Sequence, residues 1–306
     1  QSYKYNAYTD FDFNNIQSLA SYISIALDNA NAYQIINDKN SHINSSIEYA
    51  RNIQHSILPI PKMINQYFET FIIYKPKDIV SGDFYWFTPI KSENDVVEKV
   101  FFAVVDCTGH GVPGAFMSLI GNRLLNEIVI EKKIYNPAQI LEFLNVGIQV
   151  ALKQDQTDNN DGMDVVLCCI EKNSSAKKFS DSKTFNITFS GAKRPLYYVE
   201  SNKNLKMLRG NRKSIGGLRA KRSKVFYENK MVSLTKGDIL YLSSDGLIDQ
   251  NSPKRDRFGS KNFVNLINNI KSKALSEQKL LIETALSDHM KKEDQRDDIT
   301  TIAIKL

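Results

Sequence analysis

The stretch Lys99–Leu119, KVFFAVVDCTGHGVPGAFMSL, decides how the rest of the chain is read. An apolar run, Val100–Val105, drives into Asp106; Gly109, Gly111, Pro113 and Gly114 follow, and then an amphipathic segment begins. Gly109 to Gly114 spells G-x-G-x-x-G between a strand-like and a helix-like segment, the pattern of a dinucleotide-binding turn, with Glu131 as an acidic residue downstream. Asp106 argues the other way. A carboxylate at the end of a strand repels a pyrophosphate and suits a hard cation.

The bulk numbers bound the choice. A chain of 306 residues is enough for one large domain or two small ones, and 42% hydrophobic with 24% charged residues is ordinary for a globular protein. A net charge of +6 and a pI of about 9.0 suit an anionic substrate without requiring nucleic acid. Cys107, Cys168 and Cys169 have no C-x-x-C spacing and the histidines (His42, His55, His110, His289) are scattered, so neither a zinc site nor a disulfide framework is implied. No stretch approaches the roughly 18–20 apolar residues of a membrane span, and no signal peptide opens the chain. It reads as cytoplasmic, and the start at Gln1 reads as that of a fragment of something longer.

Up to about Leu58 the chain reads as helix. Ile16, Leu19, Ile23, Ala26, Ala30 and Tyr33 recur at heptad-like spacing, and Ile43, Ile47, Ala50, Ile53 and Ile57 resume the pattern after a polar patch. Residues 1–58 are therefore read as a helical linker, a coiled coil through which two copies could pair; two amphipathic helices packed on the body are the alternative. From Pro59 the texture changes. Short apolar strands separated by hairpin-length gaps predict antiparallel sheets, not strict βαβ alternation, which weakens the dinucleotide reading. After Pro113 a helix is expected to bury Phe116, Ile120, Leu124 and Ile128, and another follows Asn136-Pro137.

Aspartates recur where apolar strands begin or end: Asp83 in IVSGDFYWF, Asp106, Asp245 in DILYLSSDGLID, and Asp297 with Asp298 in QRDDITTIAI. One such residue is usually a turn or cap. Several converging on one point would repel one another unless cations neutralise them. Oxygen ligands without His or Cys point to magnesium or manganese, and two such ions form a device for in-line displacement at phosphorus.

The ordered set Ser81-Gly82-Asp83, Asp106-Cys-Thr-Gly-His-Gly, Ser244-Asp245-Gly246 and Asp297-Asp298-Ile-Thr resembles the metal-dependent protein phosphatase (PPM) family, in its SpoIIE-like branch of partner-switching phosphatases. SIEYARNIQHSILP, DGMDVVLCCI, FSGAKRPLYYV and GNRKSIGG support it, and the likeness runs from about Ser46 to Leu306. Upstream, SLASYISIALDNANAYQII weakly resembles the closing helix of a GAF sensor domain. The resemblance implies an α+β fold: an α/β/β/α sandwich of two antiparallel sheets flanked by helices, over residues 59–306. It implies a serine/threonine protein phosphatase using two Mn²⁺ or Mg²⁺ ions and a water activated between them. Asp106 would bridge the ions, Asp83 and the backbone carbonyl of Cys107 would serve one, and Asp245 and Asp297 the other; Asp298 would support the shell. The implied substrate is a phosphorylated STAS-type anti-sigma-factor antagonist.

Departures from the family pattern are visible. Cys107 stands where many members have Gly, and Thr108 where the eukaryotic branch has a proposed general-acid His. Lys193 and Arg194 are candidates for a phosphate-binding cation, and His110 is a candidate near the site that could equally be a turn residue. The basic run Lys206–Lys224 reads as a solvated loop or as a docking surface for an acidic or phosphorylated partner; it lacks the aromatic residues that base stacking on nucleic acid needs. Two rival readings stand beside the protein phosphatase: a catalytically inactive phosphatase fold that only docks a partner, and a phosphatase or phosphodiesterase for small nucleotides.

Overall fold

The computed structural model describes residues 9–173, 176, 178–200, 203–217 and 225–306. The chain divides into two units, one ending at Ala50 and the other spanning Arg51–Leu306. The chain's first helix is α1 (Asp10–Ile57), and a one-turn helix, α2 (Pro61–Ile64), follows it. Thr9 caps α1, its hydroxyl accepting from the Asp12 N–H at 3.3 Å while the Asp12 carboxylate accepts from the Thr9 N–H at 2.8 Å. Within the first unit its apolar side chains are exposed, among them Ile16, Leu19, Tyr22 and Ile23.

The second unit is built on two antiparallel sheets. One orders β1 (Glu69–Lys75), β11 (Ile299–Lys305), β10 (Ile239–Ser243), β6 (Leu196–Val199) and β7 (Lys206–Leu208). The other orders β2 (Phe84–Lys91), β3 (Val97–Cys107), β4 (Gly162–Lys172), β5 (Thr184–Ala192) and β9 (Lys230–Thr235), with β8 (Ile215–Gly216) paired to one end of β4. Burial follows the period of two. Leu240, Leu242, Ile302 and Ile304 belong to the core shared with the second sheet, while Tyr241, Ile239, Ala303 and Ile73 pack with Phe263, Ile267, Ile282 and Leu286. Those last four come from α6 (Gly259–Ile270) and α7 (Leu275–Met290).

On the second sheet Val100–Val105 is wholly buried, so both faces of β3 are covered. This is why the run is continuously apolar and does not alternate. Leu125, Ile140, Leu141, Leu144 and Ile148, from α3 (Gly111–Asn126) and α4 (Pro137–Ala151), join its core. The layers are therefore helix, sheet, sheet, helix, as expected. Asn136 caps α4, accepting from the Gln139 N–H at 3.2 Å, and Pro137 fills its first turn.

The structure corrects one residue of the expectation from periodicity: Ile128 is buried and Ile120 and Leu124 pack partly buried against the core, but Phe116 does not. Phe116 is 63% exposed, and the buried face is Gly114, Ala115, Met117, Ser118, Gly121, Asn122 and Leu125. Small residues let the helix lie close to the sheet: a Cβ on Gly121 would come within 3.0 Å of both Phe84 and Met163. A π-helical turn, Glu127–Glu131, then ends the helix. The basic run is also more than a loop, because it contains β7 and β8; its residues 218–224 lie outside the described residues. Among the described residues no helix is long and apolar enough to cross a membrane.

Candidate metal centre

The candidate carboxylates stand where strands start and stop. Asp83 immediately precedes β2, Asp106 is the penultimate residue of β3, Asp245 follows β10 and opens the short α5 (Gly246–Asp249), and Asp297 precedes β11. Strand ends place side chains at an edge of the sandwich, and contacts bring these ends together: the Gly82 N–H donates to Asp298 Oδ2 at 2.6 Å, and a Cβ on Gly246 would lie 2.0 Å from the Asp298 carbonyl oxygen. Burial pushes the Asp83 carboxyl well above the ordinary aspartate range against an opposing hydrogen bond from Ser244, and the charges of Asp298 and Asp297 add to the rise. Burial likewise raises Asp106, with Asp83 and Asp245 adding to it and Arg194 opposing them. Asp83 is 2% exposed, and its Oδ2 is buried with no hydrogen-bond partner.

Asp298 organises the loop beneath them. Its Oδ1 accepts from the Lys77 N–H at 2.7 Å and its Oδ2 from the Gly82 N–H at 2.6 Å, so its two oxygens hold the turn that presents Asp83. Asp297 Oδ1 in turn accepts from the Asp298 N–H at 2.8 Å. Gln54, near the end of α1, closes the other side. Its amide accepts from the Ser81 N–H at 3.0 Å and donates to the Ser81 carbonyl at 2.6 Å and to Ser118 Oγ at 2.8 Å. Every polar atom of that buried amide binds either the Asp83 loop or α3.

The glycines of the opening motif interlock here. A Cβ on Gly82 would lie 2.3 Å from the Gly109 carbonyl oxygen, and one on Gly114 would lie 2.4 Å from that oxygen and 2.8 Å from the Gly82 Cα. The loop after Asp106 is thus packed backbone against backbone onto the loop before Asp83. That is what G-x-G-x-x-G does in this chain. The sheet beside it is antiparallel and Glu131 pairs with Arg123, so the dinucleotide reading does not hold. Cys107 sends its side chain into the core, and its carbonyl oxygen lies beside Gly82. Burial, with Asp106 and Asp83 behind it, raises its thiol and keeps it protonated. Thr108 is fully engaged with Gly162, its N–H donating to the Gly162 carbonyl at 2.9 Å and its hydroxyl accepting from the Gly162 N–H at 3.0 Å. His110 is engaged with Asp78, Nδ1 to Oδ2 at 2.6 Å, with Lys77 Nζ 2.9 Å from its Nε2.

Two residues of the centre escaped the reading of the sequence or were named only in passing. Asp164 pairs across the strands with Asp106. Arg194, its side chain 14% exposed, donates to Asp164 Oδ2 at 3.2 Å and to Asp245 Oδ2 at 2.6 Å. The DGMD and GAKRP stretches hold them, but only strand register brings them together.

The donor set suits hard divalent cations. It is all oxygen, one of its atoms is buried and unpartnered, and its carboxylates raise one another. Among the described residues no three Asp, Glu, His or Cys side chains gather closely enough to complete a shell by themselves. Magnesium needs no such cage, since it keeps several waters and takes one or two carboxylates.

Comparison with known proteins places this architecture. The SiaA-PP2C domain of Pseudomonas aeruginosa superposes with a TM-score of 0.73 at 28% identity, over 87% of this chain and 98% of that one. A structure of the PP2C phosphatase domain and a regulatory fragment of SpoIIE from Bacillus subtilis gives 0.58 at 18% identity, over 78% of this chain and 63% of that one. The RsbU and RsbW domains of a Mycobacterium tuberculosis protein give 0.53 at 19% identity, over 78% and 59%. At those identities the last two show the shared fold. The fold is therefore that of the PP2C, or PPM, phosphatase domains. The profile of Stage II sporulation protein E (SpoIIE) matches residues 97–306, and the chain belongs to that family. No curated protein matches the sequence significantly.

Proposed function

We propose that the chain is a serine/threonine protein phosphatase that works with two Mn²⁺ or Mg²⁺ ions. The observation that carries this is the buried Asp83 carboxylate, one oxygen of which has no hydrogen-bond partner, set against Asp106 and Asp298 in the SpoIIE-family fold. Like charges in a dry site call for cations. Asp83, Asp106, Asp245, Asp297 and the carbonyl of Cys107 would hold the ions. Two such cations supply a water of lowered pKa and offset charge on the phosphoryl oxygens.

The chain's own residues do the positioning. Asp298 and Gln54 hold the Asp83 turn from opposite sides. Arg194, nearly buried between Asp164 and Asp245, is the guanidinium best placed to take phosphoryl oxygens by charge-assisted hydrogen bonds. Thr108 is committed to Gly162, so the leaving oxygen draws its proton from elsewhere. Family membership supports a phosphorylated STAS-type antagonist as the substrate. The exposed apolar side chains of α1 support pairing with a second copy of the chain through that helix. Gln54 gives movement of the end of α1 a direct route to the Asp83 loop.

The test is phosphate release from a phosphoserine protein, titrated with Mn²⁺ and Mg²⁺ against a chelator, for the wild type and Asp106→Asn. Metal-dependent release that the variant loses is expected. A wild type that neither binds these ions by calorimetry nor releases phosphate overturns the reading in favour of a docking module.

A further inference from the structure

Beside the centre lies a cleft of about 580 Å³ whose wall includes Asp245 and Arg194, so an occupant of the cleft lies against the candidate site. Two segments carry its charge. One is the turn Lys193–Arg194 after β5; the other is the loop holding Arg209 and Arg212 after β7. Tyr197, Met207 and Ile248 add apolar surface.

The two segments are locked together. The Lys193 N–H donates to the Asn211 carbonyl and the Asn211 N–H to the Gly191 carbonyl, each at 2.7 Å. A Cβ on Gly191 would lie 2.3 Å from the Arg194 carbonyl oxygen and 3.1 Å from the Gly210 Cα; one on Gly210 would lie 2.6 Å from the Gly191 carbonyl oxygen. Lys193 is held at φ 58°, a left-handed conformation that lysine rarely adopts. Strain of this kind persists where the surroundings over-determine it. The cationic rim is thus preorganised, which lowers the ordering cost of binding.

Charge is distributed unevenly. Arg194 and Lys193 are engaged with Asp164, Arg194 also with Asp245, and Asp249 is engaged with Arg257. Arg209 and Arg212 are exposed, and among the described residues neither has an ion-pair partner. The acidic wall is therefore neutralised from within, and two guanidiniums face the cleft free. Guanidinium forks match carboxylates bidentately.

We infer that this cleft is a specificity subsite for acidic side chains adjoining the phosphorylated residue of the protein substrate, with Arg209 and Arg212 as the residues that read them. The inference rests on the phosphatase reading, and its test separates the two. Phosphoserine peptides flanked by Asp, Ala or Lys are compared with p-nitrophenyl phosphate, which is too small to span both sites. The enzymes are the wild type and Arg209→Glu/Arg212→Glu, both checked for the same thermal unfolding. Wild type is expected to prefer acidic flanks by roughly tenfold in kcat/KM, through KM and less so at high salt, as exposed ion pairs allow. The double variant is expected to lose that preference, gain on Lys-flanked peptides, and keep its rate on p-nitrophenyl phosphate. Release without flank preference in the wild type, or equal loss on every substrate in the variant, overturns the subsite. If the wild type releases no phosphate at all, the phosphatase reading fails alone. Calorimetry with the acidic peptide then decides the cleft: binding that the double variant abolishes supports it, and equal or absent binding overturns it.

Discussion

Two regions of this molecule invert the usual partition of side chains, in opposite senses. Around Asp83 polar groups are buried: Asp83, Gln54, Ser81, Ser118, Asp298 and Thr300 are all nearly inaccessible. Along α1 apolar groups are outside, with Leu19 59% and Ile23 58% exposed. A buried carboxylate is costly unless something neutralises it, and a row of exposed apolar side chains is wasteful unless something covers it. Each region is therefore incomplete by itself. The first calls for small, hard and charged occupants, the second for another protein surface.

The largest effect should come from removing an inward charge. Asp83→Ala should lower metal-dependent phosphate release more than about 100-fold, since even partners that only orient metal ligands are worth 10–100-fold. Thermal unfolding in chelator should not suffer, because the variant relieves repulsion with Asp106 and Asp298. Equal destabilisation with and without metal would make Asp83 a structural residue.

Backbone packing comes next. Gly114→Ala places a Cβ 2.4 Å from the Gly109 carbonyl oxygen, where backbone must move. A loss of about 1–3 kcal/mol in urea unfolding is expected, as for overpacked sites. Gln54→Ala leaves the Ser81 N–H without its partner and should cost about 1–3 kcal/mol. It should also raise the metal concentration needed for half-maximal activity, a shift that a remote core truncation of equal cost would not produce.

The buried charges also give a pH signature. Asp83 and Asp106 have raised values in the folded, metal-free protein. The stability they contribute is full below about pH 4, the ordinary aspartate value, and is lost as pH rises through their elevated folded values. In chelator, unfolding free energy should therefore fall with rising pH more steeply in the wild type than in Asp83→Asn, and Mn²⁺ should remove the difference. The smallest effect on the domain itself belongs to α1. Leu19→Asp with Ile23→Asp should abolish dimers in sedimentation while changing unfolding of the 51–306 unit by less than about 0.5 kcal/mol. Dimers that survive the change would move the pairing surface elsewhere.

Much of this was legible from residues alone, and the reasons differ by element. β3 could be read because a strand covered on both faces must be apolar throughout, and the four acidic motifs because each sits at a strand end. The helix after Pro113 was expected to bury Phe116, but Phe116 is exposed, and the inner face mixes small and polar residues, Gly114, Ser118, Gly121 and Asn122, with Met117 and Leu125. Hydrophobic periodicity assumes that burial is driven by apolar area, and here close approach to the site dictated small residues instead. Asp164 was invisible as a site residue, since its place opposite Asp106 depends on strand register.

The sequence by itself determined the antiparallel class, the helical start and the carboxylates, because periodicity, turn chemistry and residue type are local properties. Only the tertiary structure decided that Asp164 and Arg194 join those carboxylates, that Gln54 holds the Asp83 turn, and that two glycine-locked segments hold Arg209 and Arg212 beside Asp245. Those contacts join residues far apart along the chain, and their geometry exists only once the sheets and helices have packed.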